Sequence, residues 1–336
     1  MKVFQGKKIL FISTNFFGYE KEIQKTLVNL GAQVDFWDDR PKNTFFYKAL
    51  IRVNKNILRK RIEFYYDTII DGTKDKEYDY IFFLKAESIS NKSLMKLKNI
   101  QNKAVFILYL WDSIGNRNDV KPLLKQFDKV LSFDKNDIKK YPFMCFRPLF
   151  YIEDYAKIKQ EKLTLDVCFI GTGHSDRYKI IQTIKKYCSK EEITGFYFMY
   201  LQGRIIFYYR KFFSNTYRKS KIKDFSYVSL TQKEVIKIIE SSKAVLDIQH
   251  HKQTGLTMRT LEVLGAKKKL ITTNKDIINY DFYHPNNILV INRENPEISK
   301  HFFNTPYLEV GKNIYEKYSL KNWLIDVILT SLIFIL

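Results

Sequence analysis

Residues 244–274, AVLDIQHHKQTGLTMRTLEVLGAKKKLITTN, decide the fold. Ala244–Ile248 is a short apolar run with β-branched residues and predicts a buried strand. Gln249–Gly255 is polar and ends in a glycine, which predicts a loop. Leu256–Leu264 then sets Met258, Leu261 and Leu264 at helical spacing with good helix formers between them. Gly265 is expected to end that helix, and Leu270–Thr273 to return as a second strand. Strand, loop, helix and strand make a βαβ unit, the repeating piece of a doubly wound α/β fold.

In such a unit the loop and the helix start lie at the carboxyl edge of a parallel sheet, where open α/β folds bind ligands. The first amides of the helix, at Gly255, Leu256 and Thr257, are expected to attract an anion. Arg259 follows within about a turn, with a planar fork suited to phosphate, and Glu262 could accept hydrogen bonds from the vicinal hydroxyls of a ribose. Together these point to a nucleoside diphosphate. Arg259 and Glu262 fit an ordinary i,i+3 surface pair equally well.

The stretch QTGLTMRTLEVLGAKKKLITTN resembles the nucleotide-sugar-binding segment of bacterial group 1 glycosyltransferases, in particular those of capsule and lipopolysaccharide synthesis and the spore-maturation-like subgroup. The resemblance implies a GT-B fold: two Rossmann-like domains facing across a cleft, with a C-terminal helical return. It also implies that Glu262 binds the donor ribose. The broader family often carries another Glu eight positions earlier, where this chain has Thr254. YLWDSIGN, at 109–116, resembles a recurring segment of the same group.

Composition narrows the classes. At 336 residues the chain can hold two domains with full cores, and 45% apolar content with 16% aromatics is that of a globular protein. Cys145, Cys168 and Cys188 are odd in number and form no CxxC pair, so they read as free thiols in a reducing cytosol and support neither a zinc site nor a disulfide framework. The net charge of +21 favours polyanionic partners. Ile9–Ile12 is too short for a signal-peptide core, and no segment reaches the roughly 20 apolar residues of a membrane span. Trp323–Leu336 reads as a terminal helix packing on the body.

Along the chain, further strands are expected at 8–13, 33–37, 79–84, 104–110, 130–133, 165–170 and 288–291, and helices at 19–30, 93–100, 178–188 and around 312–318. Asp112 closes the 104–110 strand and could act as general base on an acceptor hydroxyl or cap the next turn. Lys48–Arg61 is basic with apolar residues between, an amphipathic helix that is either membrane-facing or packed by its apolar stripe. The polar stretch from Arg147 to Leu163 reads as a linker. After it, the loop Gly171-Thr172-Gly173 is expected to let backbone approach a ligand, with Arg177 and Lys179 meeting two phosphates; a plain tight turn is the alternative. His250 and His251 sit in the ligand-facing loop, and His251 is a candidate contact to phosphate or sugar. In Arg204–Lys223 aromatics alternate with cations, which suits an anionic membrane surface, single-stranded nucleic acid, or an insertion with a partly buried aromatic face.

The domains expected are therefore 1–150 for the acceptor, 163–315 for the nucleotide-sugar donor, and 316–336 as a helix packing back. The donor site would comprise Gly171, Thr172, Gly173, Arg177, Lys179, His251, Gly255, Leu256, Thr257, Arg259 and Glu262, with Asp112 catalytic. No metal and no cofactor are expected, the nucleotide-sugar being substrate. The partners expected are that donor, a glycan or lipid-linked acceptor in surface polysaccharide synthesis, and anionic membrane through 204–223, for a cytoplasmic protein at the inner face of the membrane. Two rival readings stand: a transferase-like module that binds nucleotide or scaffolds without turnover, and a basic nucleic-acid-binding protein.

Overall fold

Parallel strands form wherever an apolar run is closed by a polar turn. The computed structural model describes residues 2–330 apart from 45, 46, 48, 49, 52, 53, 160–162 and 252, and apart from the side chains of 55 and 56. It divides into two compact units, Met1–Pro148 with Leu320–Leu336, and Leu149–Ser319.

The first unit carries β1 (Lys8–Ser13), β2 (Gln33–Asp38), β3 (Tyr80–Leu84), β4 (Val105–Leu110), β5 (Lys129–Ser132) and β6 (Cys145–Phe146), all parallel, in the order β2-β1-β3-β4-β5-β6. Its helices include α1 (Tyr19–Asn29), α2 (Arg59–Thr73), α3 (Asn91–Ile100) and α4 (Lys135–Lys140). The central strands are apolar nearly throughout because helices cover both faces of a parallel sheet. Gly31 follows α1 at φ 100°, the left-handed position that a glycine accepts at a helix end. Ser90 caps α3 by accepting from Ser93 N. Of the basic amphipathic segment at 48–61, part lies outside the described residues; Ile51 and Leu58 are buried in the core, so its apolar stripe packs inward there.

The second unit carries β7 (Leu165–Thr172), β8 (Gly195–Tyr200), β9 (Ser242–Asp247), β10 (Lys269–Thr272) and β11 (Ile288–Val290), again all parallel, in the order β11-β10-β9-β7-β8. Its helices include α5 (Glu153–Ala156), α6 (Arg177–Lys190), α7 (Arg204–Phe213), α8 (Gln232–Glu240), α9 (Met258–Gly265), α10 (Lys300–Asn304) and α11 (Lys312–Lys317). Read from β8, this order matches that of the first five strands of the other sheet. The strands without a counterpart in the sequence reading, β6 and β8, lie at sheet edges. β6 spans only Cys145–Phe146, too short to show a pattern, whereas β8, GFYFMY, is an apolar aromatic run.

The last helix, α12 (Leu320–Leu329), belongs to the first unit. Trp323, Leu324 and Val327 are fully buried, and the Trp323 ring lies 4.6 Å from Tyr109 and 6.2 Å from Phe82. Lys129, itself buried, donates to the carbonyls of Asp326 (2.9 Å) and Thr330 (2.6 Å) at the end of that helix. Arg147 Nε reaches the Asp326 carboxylate at 2.9 Å. The expected tail beyond residue 330 lies outside the described residues.

Two expectations are corrected here. The stretch after Arg147 is packed structure and not a free linker: Arg147, Leu149–Ile152 and Tyr155 are buried, because an apolar run precedes the lysines. Gly265 is the last residue of α9 rather than the residue that turns the chain out of it; Lys267, at φ 52°, takes the left-handed position. A Cβ on Gly265 would stand 2.6 Å from Tyr151 Cγ, so the glycine makes room for that ring.

Candidate functional site

In a sheet wound in this order the strand sequence reverses between the first and third strands, and the loops leaving those two strands part to form a crevice. In the second unit these are the loops after β7 and β9. Arg177, the first residue of α6, bridges them: Nε donates to Ile248 O at 2.7 Å and Nη1 to Thr172 O at 3.1 Å. Arg293, just beyond β11, ties three loops together. It bonds both Asp176 carboxylate oxygens at 2.6 Å, Gln249 O at 2.9 Å and Thr273 Oγ1 at 3.2 Å.

At this edge Arg293 and Arg259 each have a carboxylate partner, Asp176 and Glu262, while Arg177 is held by carbonyl oxygens. Burial pushes Arg177 down to about 10; Asp247 pulls the other way, while Arg293 and Arg259 add to the push. Burial, with Arg177 and His250 beside it, pushes His174 down to about 3. The His174 and His250 rings lie 5.7 Å apart, and His250 stacks on His251 at 4.6 Å. Burial works against the Asp176 carboxylate too, yet the Arg293 guanidinium holds it below the usual range. Cations that destabilise one another in a buried setting are relieved by an anion.

The expected site residues fall into three groups. Thr172 and Arg177 stand at the crevice. Gly171 and Gly173 are there as well, but the space of a Cβ at each is taken by the chain's own side chains. At Gly171 Phe169 would be 2.9 Å away and Arg177 Nη1 3.2 Å, and at Gly173 Phe225 would be 2.9 Å away. Their smallness therefore serves side-chain packing. Lys179 is exposed two residues beyond Arg177, a spacing that turns it to another side of α6. His251 is exposed.

The start of α9 differs from the expectation drawn for it. Gly255 and Leu256 are buried and precede the helix, which begins at Met258 with Thr257 as its cap, accepting from Thr260 N. Asp247, at the end of β9, accepts from the Thr257 and Thr260 hydroxyls at 2.5 and 2.8 Å. The chain's own carboxylate thus lies at this helix start. Arg259 and Glu262 do pair, Nη1 to Oε2 at 2.6 Å, but as a buried pair and not a surface one: Glu262 keeps 5% of its side chain exposed. Burial pushes the Glu262 carboxyl up, against the pull of the guanidinium. The hydroxyl of Tyr155 also meets Arg259.

The switch point of the first sheet, after β1 and β3, has different chemistry. Asp112, beyond β4, is ion-paired with Lys85 at 3.0 Å and keeps 43% of its side chain exposed. The turn that follows starts at Ser113 without a side-chain cap. The Lys85 ammonium lies 4.7 Å from the Phe16 ring and 5.3 Å from Trp111, and those rings are 5.0 Å apart. Lys85 and Ala86 both take positive φ, 83° and 49°, a strained pair at a strand end. Behind them the buried Glu87 meets Arg40 at 2.5 Å and Arg117 at 3.5 Å. The buried Asp39 accepts from Tyr66 and from the amides of Glu87 and Ser88.

Arg293, Asp247 and Lys85 were absent from the sequence reading. Asp247 closes a strand, Lys85 directly follows one and Arg293 lies three residues past one, so the positions were readable, but only the strand order shows which strand ends converge. Among the described residues, no three or more His, Cys, Asp or Glu side chains gather to hold a metal ion, and no helix is long and apolar enough to cross a membrane.

Two parallel α/β units wound in this way have the GT-B fold. No protein-family model and no curated protein matches the sequence. Among solved structures, Anabaena Alr3699/HepE in complex with UDP and glucose is similar at TM-score 0.52 and 11% identity, over 96% of this chain and 95% of that one. The same protein in complex with UDP-glucose gives 0.50 and 10%, over 95% and 98%. The apo lipopolysaccharide outer core galactosyltransferase WaaB gives 0.48 and 12%, over 96% and 99%. At these identities the likeness is one of fold.

Proposed function

We propose that the chain is a glycosyltransferase that moves a sugar from a nucleotide-activated donor to a hydroxyl of a glycan or lipid-linked acceptor in bacterial surface polysaccharide synthesis. The observation that carries the reading is the cationic switch point of the second unit, where Arg177 is pushed down by burial and by the guanidiniums near it. The donor diphosphate would lie there, along Thr172, Arg177 and the loop to His251. The GLTMR segment and Glu262, which resemble the donor segment of group 1 transferases, stand beside the same loops. A protein of like fold has been solved with UDP-glucose, a donor of the class proposed.

In the reaction the acceptor oxygen attacks the anomeric carbon, the bond from that carbon to the diphosphate oxygen breaks, and the diphosphate leaves with the electron pair. Asp112 takes the acceptor proton where the reaction inverts. Arginines would stabilise the departing charge in place of a divalent metal. A lipid-linked acceptor would put the protein at the inner face of the membrane.

Thermal-shift screening against nucleoside diphosphates and their sugars tests the donor site. Selective stabilisation by one nucleotide, lost in Arg293→Met, is expected. A flat response across the panel sinks the proposal. Binding without donor consumption would instead favour the non-catalytic module.

A further inference from the structure

Helix α7 leaves an apolar stripe uncovered. Ile205, Tyr208, Tyr209, Phe212 and Phe213 follow the i, i+3, i+4, i+7, i+8 spacing of one helix face, and all are exposed, from 51% for Tyr208 to 86% for Ile205. The helix is anchored from its other side. Phe207 is buried against Phe225 with 5.8 Å between ring centres, Arg210 Nη1 reaches the Tyr217 hydroxyl at 3.4 Å, and Lys211 donates to Ser220 O at 3.0 Å. A core-packing helix shows the reverse arrangement, with its stripe inside. A surface helix without a partner seldom carries five large apolar side chains in one row.

Charge says what covers it. Residues 204–224 hold seven Lys and Arg against one acid, Asp224. That acid is engaged inward, accepting from the Tyr178 hydroxyl at 2.8 Å and from Lys221 N at 2.7 Å. Arg204, Arg218, Lys219, Lys221 and Lys223 remain exposed. The turn bearing four of them lies against the helix flank, since Tyr217 and Ser220 are the residues that Arg210 and Lys211 grip. Aromatic rings and aliphatic side chains in one row, with cations beside them, match the boundary of an anionic bilayer. Phe and Ile enter the acyl region there, Tyr sits at headgroup depth, and Lys and Arg meet lipid phosphate.

We infer that α7, with the basic turn 218–223, is a membrane-docking surface that inserts its 205/208/209/212/213 stripe into an anionic lipid surface. The inference stands on the second unit alone and does not need the sugar-transfer reading. It gives a surface to the membrane association expected of a lipid-linked acceptor.

The test is vesicle flotation of the full chain with phosphatidylcholine vesicles containing about 30 mol% phosphatidylglycerol, against phosphatidylcholine alone. The wild type should float with the anionic vesicles at least about tenfold more than with the neutral ones, and less as salt rises. Phe212→Ser with Phe213→Ser should lower the bound fraction at least about tenfold, and Arg218→Glu with Lys219→Glu should abolish the preference for anionic lipid. All four side chains are exposed, so melting temperatures should stay at the wild-type value. Equal flotation of wild type and Phe variants overturns the inference. So does oligomerisation that disappears in the Phe variant while vesicles are ignored, which would make a second copy of the chain the occupant. Tight, salt-sensitive binding of single-stranded RNA lost in the same variants would likewise assign the face to nucleic acid.

Discussion

Arg293 and Asp176 share a bidentate contact at the mouth of the cationic crevice, and the two can be told apart by the sign of their effect on nucleotide binding. If the site binds a diphosphate by charge, removing the guanidinium takes away attraction and also leaves Asp176 uncompensated at the start of α6. Removing the carboxylate does the opposite. A unit charge about 6 Å from a phosphate, at an effective dielectric of about 20, is worth roughly 2–3 kcal/mol, or about a hundredfold in affinity. The pair is part-exposed, with side chains 19% and 34% accessible. Solvent screening therefore trims the expected effect to roughly ten- to fiftyfold. Arg293→Met should weaken the preferred nucleoside diphosphate by that factor in isothermal titration, with a steep salt dependence. Asp176→Asn should leave affinity unchanged or raise it several-fold. If both substitutions weaken binding alike, Arg293 acts only as a strap between Asp176, Gln249 and Thr273, and the electrostatic account of the site is wrong.

Asp112→Asn should lower turnover by roughly 100- to 10,000-fold with donor affinity unchanged, as measured by donor consumption beside titration. Gly265→Ala should destabilise the second unit by roughly 1–3 kcal/mol through the clash with Tyr151, read from urea midpoints. In a Tyr151→Gly background, which removes the Tyr151 Cβ at 2.7 Å as well as the ring, the cost should largely disappear; an additive cycle would reject the packing role of Gly265. Burial pushes the Lys129 and Lys269 ammonium groups down to about 8. Between about pH 8 and the unfolded lysine value of about 10.4 the unfolded chain holds more protons, so these two residues make stability rise with pH across that window. The slope of urea midpoints between those limits should flatten in Lys129→Met with Lys269→Met.

Much of the architecture could be read from the chain because parallel strands buried on both faces write themselves as uninterrupted apolar runs; β1, β3 and β4 are such runs. What escaped has physical reasons. Strand β6 spans only Cys145–Phe146, too short to show a pattern; β8, GFYFMY, is an apolar run that was open to reading. The long helix α2 hides its stripe, Ile62, Tyr66, Ile69 and Ile70, among charged neighbours that mask the period. Gly265 looked like a helix terminator since composition cannot distinguish a glycine needed for its φ from one needed for its missing Cβ. At the site, Arg177 and the Arg259–Glu262 pair were nameable from spacing, but their burial was not. An i,i+3 pair reads the same whether it faces water or the protein interior, and here the interior decides its chemistry.

The two sheets share a winding order, and yet the side chains gathered at their switch points differ. In the second unit Arg293 meets the Asp176 carboxylate and Arg259 meets Glu262, while Arg177 donates to the carbonyls of Ile248 and Thr172, so Arg177 is the cation that an incoming anion would relieve. In the first unit acids and cations are matched one to another: Glu87 with Arg40 and Arg117, and Asp112 with Lys85. A phosphate has little to gain there. There the buried Lys85 ammonium lies between the Phe16 and Trp111 rings and is held by Asp112. Asp39 and Glu87 are buried and committed to the framework of that edge. Asp112 is set apart by a carboxylate that is fixed on one side by Lys85 and open to solvent over nearly half its surface, at 43%. A group that must receive a proton from an incoming molecule has to be held and reachable at once, and at this strand edge Asp112 satisfies both conditions.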